Sequence, residues 1–355
     1  MKNAIMEVNI NQFFKNVELI QNFVGNKEII PIVKANGYGT YLNKRLDVLN
    51  HFNIIAVAEV QEAIEIRKEG YQKDIFVLNQ PFLEELDAIH SYNIIVGISE
   101  ESFIDNIDIP IRVHLEIETG MNRTGIQKKN WNTLFEKIKS NQNIHVEGIY
   151  THFSSADNDY SYTNEQFHLF EEAVELAKKY FSFTYIHCSA SNGIARYPDN
   201  ITNAVRPGII LYGYESFQGI RDIIPIKPIV TLKTKISYIK EVNDNEAISY
   251  NQKFITSSPM KIATIPIGYA DGLRRGLTGK AYVSIQGQKR RILGAICMDS
   301  CMIDVTGLDV QVGDEVFIWD NQIVTLDEVA NLSDTINYEV LCTISNRVQR
   351  VYIKE

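Results

Sequence analysis

Lys34 ends the apolar, β-branched run "IIPIVKA" and is followed at once by the turn-forming residues "NGYG". A cation at the tip of a buried strand suits Schiff-base chemistry, because a perturbed amine is a nucleophile near neutral pH. Other polar groups fall at equivalent points of later apolar runs. Glu116, Glu118 and Arg123 follow "IRVHLE", His152 ends "IHVEGIYTHF", Ser191 ends "FTYIHCSAS", and Arg206 precedes Gly208 in "NAVRPGIILYG". Singly, each has an ordinary explanation: a solvated lysine, a core histidine, a helix N-cap serine. Together, at matching run ends, they favour a site. The "SNG" after Ser191 and the "PGI" at 207–209 are suited to presenting backbone N–H groups to a phosphate. Walker, G-x-G-x-x-G, G-x-S-x-G and H-E-x-x-H motifs are absent from the sequence. His145 and His152, seven apart on one expected strand, face opposite sides and make a poor metal pair.

The elements that must position these groups are legible as two textures. Up to about residue 224, eight short apolar runs alternate with amphipathic segments such as "QEAIEIRKEG" and "NEQFHLFEEAVELAKKYF". Continuous apolar runs suit parallel strands buried on both faces, with helices as crossovers. Eight β/α units predict a TIM-like (β/α)8 barrel, with a doubly wound open sheet as the alternative. In a barrel the site lies at the C-terminal ends of the strands, which is where the polar groups fall. After the Pro-rich "IIPIKPI" the texture becomes that of a mainly antiparallel β domain. The expected division is a cofactor-binding barrel over 1–224 and a β domain over 225–355, with the first few residues pairing with the latter.

Composition narrows the function classes. The 355 residues are 45% hydrophobic and 22% charged, which is ordinary globular composition. The net charge of -9 argues against nucleic acid as a partner. Cys188, Cys297, Cys301 and Cys342 are too irregular for a disulfide framework or a zinc site, so no metal is expected. No apolar run reaches the ~20 residues of a membrane span, and a cytoplasmic location is expected.

A Schiff-base lysine with a phosphate cradle points to pyridoxal 5'-phosphate (PLP). "VKANGYG" resembles the lysine motif of the alanine racemase family, and "ETGMNRTG", "THFSSAD", "VRPGIILYG", "ISYNQ…TIPIGYADG", "ICMDSCMIDV" and "INYEVLCTIS" follow in family order. The resemblance implies a PLP barrel followed by a β domain, and a homodimer sharing its active sites across the interface. It implies that Lys34 holds PLP and acts as base on one face of the substrate, with Tyr250 of the partner as the opposing base. His152 and Arg206 are then coupled to that tyrosine, with Arg206 also facing the pyridine nitrogen. Tyr38, Ser191, Gly208 and Ile209 match the phosphate cradle, and Arg123 a contact to the PLP phenolic oxygen. Tyr269, Met298 and Asp299 match the entrance and the substrate-carboxylate contact.

Two departures from the family pattern bear on function. Glu116 stands where many members carry a carbamylated lysine; a carboxylate there is expected to hold Arg123 and to make activity independent of bicarbonate. Asn346 stands where alanine-specific members usually have a tyrosine. Asparagine is smaller and can bond a substrate hydroxyl, and it resembles the serine-racemising branch associated with glycopeptide (vancomycin) resistance. The expected reaction is therefore L/D-serine interconversion, with alanine as a second substrate. In that branch a membrane domain commonly precedes the racemase. The alternative is a housekeeping alanine racemase supplying D-alanine for peptidoglycan. Leu341 replaces a usual proline and Thr40 a usual histidine; neither is explained.

Overall fold

The computed structural model describes residues 4–215 and 217–354. They divide into two compact units. One is Lys15–Gly37 with Tyr41–Lys227; the other combines the chain up to Phe14, Tyr38–Thr40 and the chain from Pro228 onward.

The first unit is a closed parallel barrel. Its strands are β1 (Glu28–Ile29), β2 (Ile54–Val57), β3 (Asp74–Val77), β4 (Ile95–Ile98), β5 (Ile111–Glu116), β6 (Ile144–Tyr150), β7 (Tyr185–Ala190) and β8 (Ala204–Arg206). They run β1-β8-β7-β6-β5-β4-β3-β2. A parallel bridge between Ile32 and Ala56 closes the ring. Around it Val33 donates to the Ala56 carbonyl and Ala56 to that of Pro31. That bridge rules out the doubly wound alternative, which needs an open sheet. Every residue of β2 and β4 is buried, as strands covered on both faces require. The run at 29–35 contributes less regular strand than its composition predicts, because Pro31 removes a ladder donor. The surrounding helices are one-faced. Helix Trp131–Ser140 buries Trp131, Leu134, Phe135 and Ile138, a 3–4 spacing that sends one stripe inward.

The interior of this barrel is unusually polar. His114, His187, Arg206, Tyr150 and Glu116 are all at most 5% exposed, where packed branched aliphatics are the rule. Two glycines make the room. A Cβ on Gly148 would lie 2.7 Å from the His114 ring, and one on Gly97 would lie 2.3 Å from the Tyr150 hydroxyl. A register shift between Val113 and His114 brings His114 opposite Gly148.

The second unit is built on a nine-stranded, mainly antiparallel sheet with two short helices, Leu326–Leu332 and Asn337–Cys342. The N-terminal strand Ile5–Asn9 pairs antiparallel with Val230–Lys235 and parallel with Gln349–Ile353. Among the described residues no helix is long and apolar enough to cross a membrane.

Candidate active site

In the barrel unit the polar groups fall at the C-terminal strand ends. Glu116 ends β5, His152 lies two residues past β6, Ser191 follows β7 directly, and Arg206 ends β8. Lys34 follows the closing bridge and is half-buried. His152 is thus beyond the strand that carries His145, so face alternation does not apply to the pair.

Beyond Lys34 the backbone is left-handed for five residues: Ala35 (φ 53°), Asn36 (55°), Gly37 (59°), Tyr38 (54°) and Gly39 (76°). Such geometry costs non-glycine L-residues about 1–2 kcal/mol each, so it persists only where surrounding contacts impose it. Gly37 N–H donates to the Val33 carbonyl at 2.9 Å and Ala35 N–H to Glu62 Oε1 at 2.6 Å. Gly39 admits no side chain, since a Cβ would lie 2.3 Å from the Leu341 carbonyl oxygen. Tyr38 is buried with its ring centroid 6.0 Å from that of Tyr338. Burial, then Tyr338 and Cys342, push its hydroxyl well above the ordinary phenol range, so it stays protonated as a donor.

Arg206 is held from several sides. Its Nη1 donates to His187 Nδ1 (2.5 Å) and the His187 carbonyl (3.0 Å); its Nη2 donates to the Thr151 carbonyl (2.7 Å) and the Cys188 carbonyl (3.1 Å). Nη2 also lies 3.4 Å from His152 Nδ1. Burial, then Arg206, Arg123 and Lys34, lower His152 to about 3, so its imidazole is neutral at physiological pH.

Ser191 is the first residue of helix Ser191–Arg196 rather than its N-cap, which is Ala190. Its hydroxyl reaches across to accept from Gly208 N–H at 3.0 Å, and an accepting hydroxyl keeps a proton to donate. Ile209 opens a 3-10 turn, Ile209–Tyr212, whose first N–H groups lack partners within it. Converging hydroxyl and N–H donors fit a phosphate, as expected for PLP.

Glu116 accepts from Thr124 Oγ1 at 2.8 Å, while its Oε2 is buried without a hydrogen-bond partner. Burial raises its pKa, and Thr124 and Arg123 oppose the rise. The expected clamp on Arg123 is not formed. Arg123 is exposed on the loop after β5, and among the described residues no ion pair within 4.0 Å joins it to Glu116. The nearby side chain satisfying Glu116 is a neutral threonine.

The other expected residues gather in the second unit. Tyr250, 64% exposed, begins a turn whose preceding residue, Ser249, has φ 68° and ψ -173°. Ser249 Oγ donates to the Ala295 carbonyl at 2.6 Å. Tyr269 opens a second turn, and its N–H donates to the Cys297 carbonyl at 3.1 Å. Asp271 Oδ2 accepts from Gly268 N–H at 2.9 Å. Arg347 pairs with Asp299 (2.7 Å) and Asp271 (3.2 Å). It thereby ties the Tyr269 turn and the Met298–Asp299 segment to the loop of Asn346, which is exposed. Sequence reasoning missed Arg347, His187, His114 and Glu62. Of these, His187 beside Cys188 in "YIHCSAS" and His114 in "IRVHLE" carried a polar signal within an apolar run.

Two family profiles match the chain: "Alanine racemase, N-terminal domain" over residues 8–216 and "Alanine racemase, C-terminal domain" over residues 229–352. The chain is 40% identical to alanine racemase 1 of Clostridium acetobutylicum, covering 98% of this chain and 95% of that one. It is 38% identical to the alanine racemase of Clostridium kluyveri, covering 98% and 93%. Among solved structures, alanine racemase of Clostridium difficile 630 superimposes with a TM-score of 0.92 at 32% identity, covering 100% of this chain and 97% of the other. The Bacillus anthracis alanine racemase with bound L-Ala-P gives 0.93 at 30% identity, covering 100% and 96%. With both profiles matched over nearly its whole length, this chain belongs to the PLP-dependent alanine racemase family.

Proposed function

We propose that the chain interconverts L- and D-alanine, with Lys34 and Tyr250 as its two proton-transfer groups. The observation that carries this reading is the grouping of Lys34, His152, Ser191 and Arg206 at one end of the barrel. The naming of its relatives as alanine racemases favours alanine over serine. The residues that would hold PLP are Lys34, Tyr38, Arg123, His152, Ser191, Arg206, Gly208 and Ile209. Bound PLP supplies the electron sink that makes the substrate's α-proton removable.

Inversion needs loss of a proton on one face and gain on the other, hence two groups. Lys34 serves one face and Tyr250 of the partner the other, in a homodimer. Exposed Tyr250, Tyr269, Met298, Ile255 and Ile336 support a surface that a second copy covers. Arg206 cannot give up its proton, so it would leave a pyridine nitrogen facing it unprotonated and the bound cofactor a weaker electron sink. Rapid reprotonation is then favoured over side reactions. Tyr269, Met298 and Asp299 receive the substrate and its carboxylate. On this reading the enzyme works in the cytoplasm and its product feeds peptidoglycan.

Serine is a second reading, favoured by Asn346 alone. It would give the site room and a hydrogen-bond partner for a hydroxymethyl group, and a membrane domain preceding the chain belongs to that reading. The test is racemisation of L-alanine and L-serine, side by side, by purified protein with added PLP. Alanine favoured by tenfold or more in kcat/KM, about 1.4 kcal/mol, supports the first reading; serine favoured supports the second. Lys34→Ala should lose activity together with the visible absorbance of bound cofactor. Retained activity removes the mechanism.

A further inference from the structure

The left-handed turn after Lys34 is held by a carboxylate outside the candidate site, that of Glu62. Glu62 Oε1 accepts from Ala35 N–H at 2.6 Å, the amide immediately after Lys34. Its Oε2 accepts from Ala58 N–H at 2.8 Å and lies 3.4 Å from Glu59 N–H. The second oxygen therefore does the usual work of a glutamate in the first turn of a helix, here Val60–Lys68, satisfying amides that have no intrahelical partner. The first oxygen does something else. It spans 27 residues of sequence to a strained alanine (φ 53°, ψ 51°). Hydrogen bonds to an ionised carboxylate are among the stronger ones, and this one falls where the backbone is least able to hold its own conformation.

We propose that Glu62 is a positioning residue for Lys34. It locks the left-handed turn so that the lysine leaves the barrel rim in one direction, toward the cofactor. The inference rests on the reading of Lys34 as the cofactor-bearing lysine. Glu62 itself touches neither cofactor nor substrate; it acts through the Ala35 amide. Asparagine and glycine tolerate this backbone and occupy Asn36 and Gly37, but Ala35 does not tolerate it unaided. Ala35 is also the residue to which Glu62 is bonded.

The test uses the full chain with PLP. Glu62→Gln puts an amide group among three backbone donors, so one of the two oxygens is lost as an acceptor. Expected is a folded protein whose kcat falls roughly tenfold with KM little changed, the pattern of lost positioning rather than lost binding. Two readouts need no turnover. The Ala35 amide should exchange hydrogen faster in the cofactor-free protein, and hydroxylamine should strip cofactor absorbance faster from the loaded one. Ala35→Gly, which removes the strain Glu62 opposes, should restore part of both losses in the Glu62→Gln background. Unchanged exchange, cofactor release and kcat in Glu62→Gln overturn the proposal, as does a double variant no better than the single one. Should Glu62→Gln fail to fold, Glu62→Asp, too short to span both corners, is read in the same way. If Lys34→Ala keeps its cofactor absorbance, the reading of Lys34 fails first; if it loses it while Glu62→Gln behaves as wild type, only the positioning role fails.

Discussion

Arg206 Nη1 lies 2.5 Å from His187 Nδ1, and that contact dictates where the protons sit on two buried histidines. A guanidinium has only donors, so His187 Nδ1 must accept and its proton must be on Nε2. His187 Nε2 lies 2.9 Å from His114 Nδ1, which must therefore accept in turn. His114 is left with its proton on Nε2, a buried atom without a partner. Both rings are neutral, and burial lowers His114 to about 3 and His187 well below the usual imidazole value.

This chain predicts acid sensitivity of a definite sign. Unfolded histidine titrates near ~6.5, whereas the folded rings resist protonation, so below that value the unfolded state binds more protons. The histidines' contribution to stability is thus present above ~6.5 and lost as pH falls. For His114, taken alone, the loss between pH 7 and 5 is about 2 kcal/mol. His114→Gln keeps an acceptor for His187 and removes the titration, so it should lose about 2 kcal/mol less than wild type over that range. Urea unfolding at the two pH values measures it. Parallel pH dependences in the two proteins would contradict the assignment.

Glu116 carries the opposite sign. Its raised folded pKa means that the fold disfavours the ionised form, so its cost appears as pH rises through that value. Glu116→Gln should therefore raise the urea midpoint relative to wild type more at pH 8 than at pH 4. Glutamate has no amine to take up CO2, so racemisation should also run at the same rate in carbonate-stripped and bicarbonate-supplemented buffer. Activation by bicarbonate would point to a different carbamate site.

Ser249 holds a conformation (φ 68°, ψ -173°) that is essentially reserved for glycine. It does so beside Gly294, where a Cβ would lie 2.4 Å from the Ile248 carbonyl oxygen. Strain of about 1–3 kcal/mol next to Tyr250 is compensated by the Ser249 hydroxyl on the Ala295 carbonyl. Ser249→Ala keeps the strain and loses the bond, and should lower the thermal midpoint. Ser249→Gly loses the bond and the strain together, so its midpoint should stay closer to wild type while turnover drops. A glycine variant as destabilised as the alanine one would show that the backbone there is not strained.

Much of this site was readable in the sequence because strand ends are marked by a change from apolar to polar residues. Lys34, His152 and Ser191 sit at such changes, while Glu116 and Arg206 stand out as charges inside apolar runs, each at the last residue of its strand. The barrel followed from the same runs, although β1 is only two residues long and the ring closes through an isolated bridge. What stayed hidden depends on contacts between distant segments. Glu62 reads as an ordinary first-turn glutamate, and nothing local says that one oxygen reaches Ala35. Arg347 follows Asn346 as one more exposed cation, and only folding brings it to Asp271 and Asp299. The expected pairing of Glu116 with Arg123 failed for a related reason. The family resemblance implied that a carboxylate at 116 holds Arg123, but Arg123 lies exposed on the loop after β5.

Asn346 gives the sharpest test of substrate choice. Its neighbour Arg347 fixes the loop through two ion pairs, so a substitution at 346 should change the side chain presented without moving the backbone. Those pairs are half-exposed and individually weak, but they converge on one guanidinium from two segments. Asn346→Tyr replaces a small group able to bond a hydroxyl with a bulky ring. If Asn346 admits serine, the variant should lower kcat/KM for serine at least tenfold more than for alanine, about 1.4 kcal/mol of discrimination. A bonded hydroxyl can supply that much, whereas extra room alone supplies less. Equal losses for both substrates would mean that position 346 does not read the substrate side chain, leaving alanine as the substrate on every line of support.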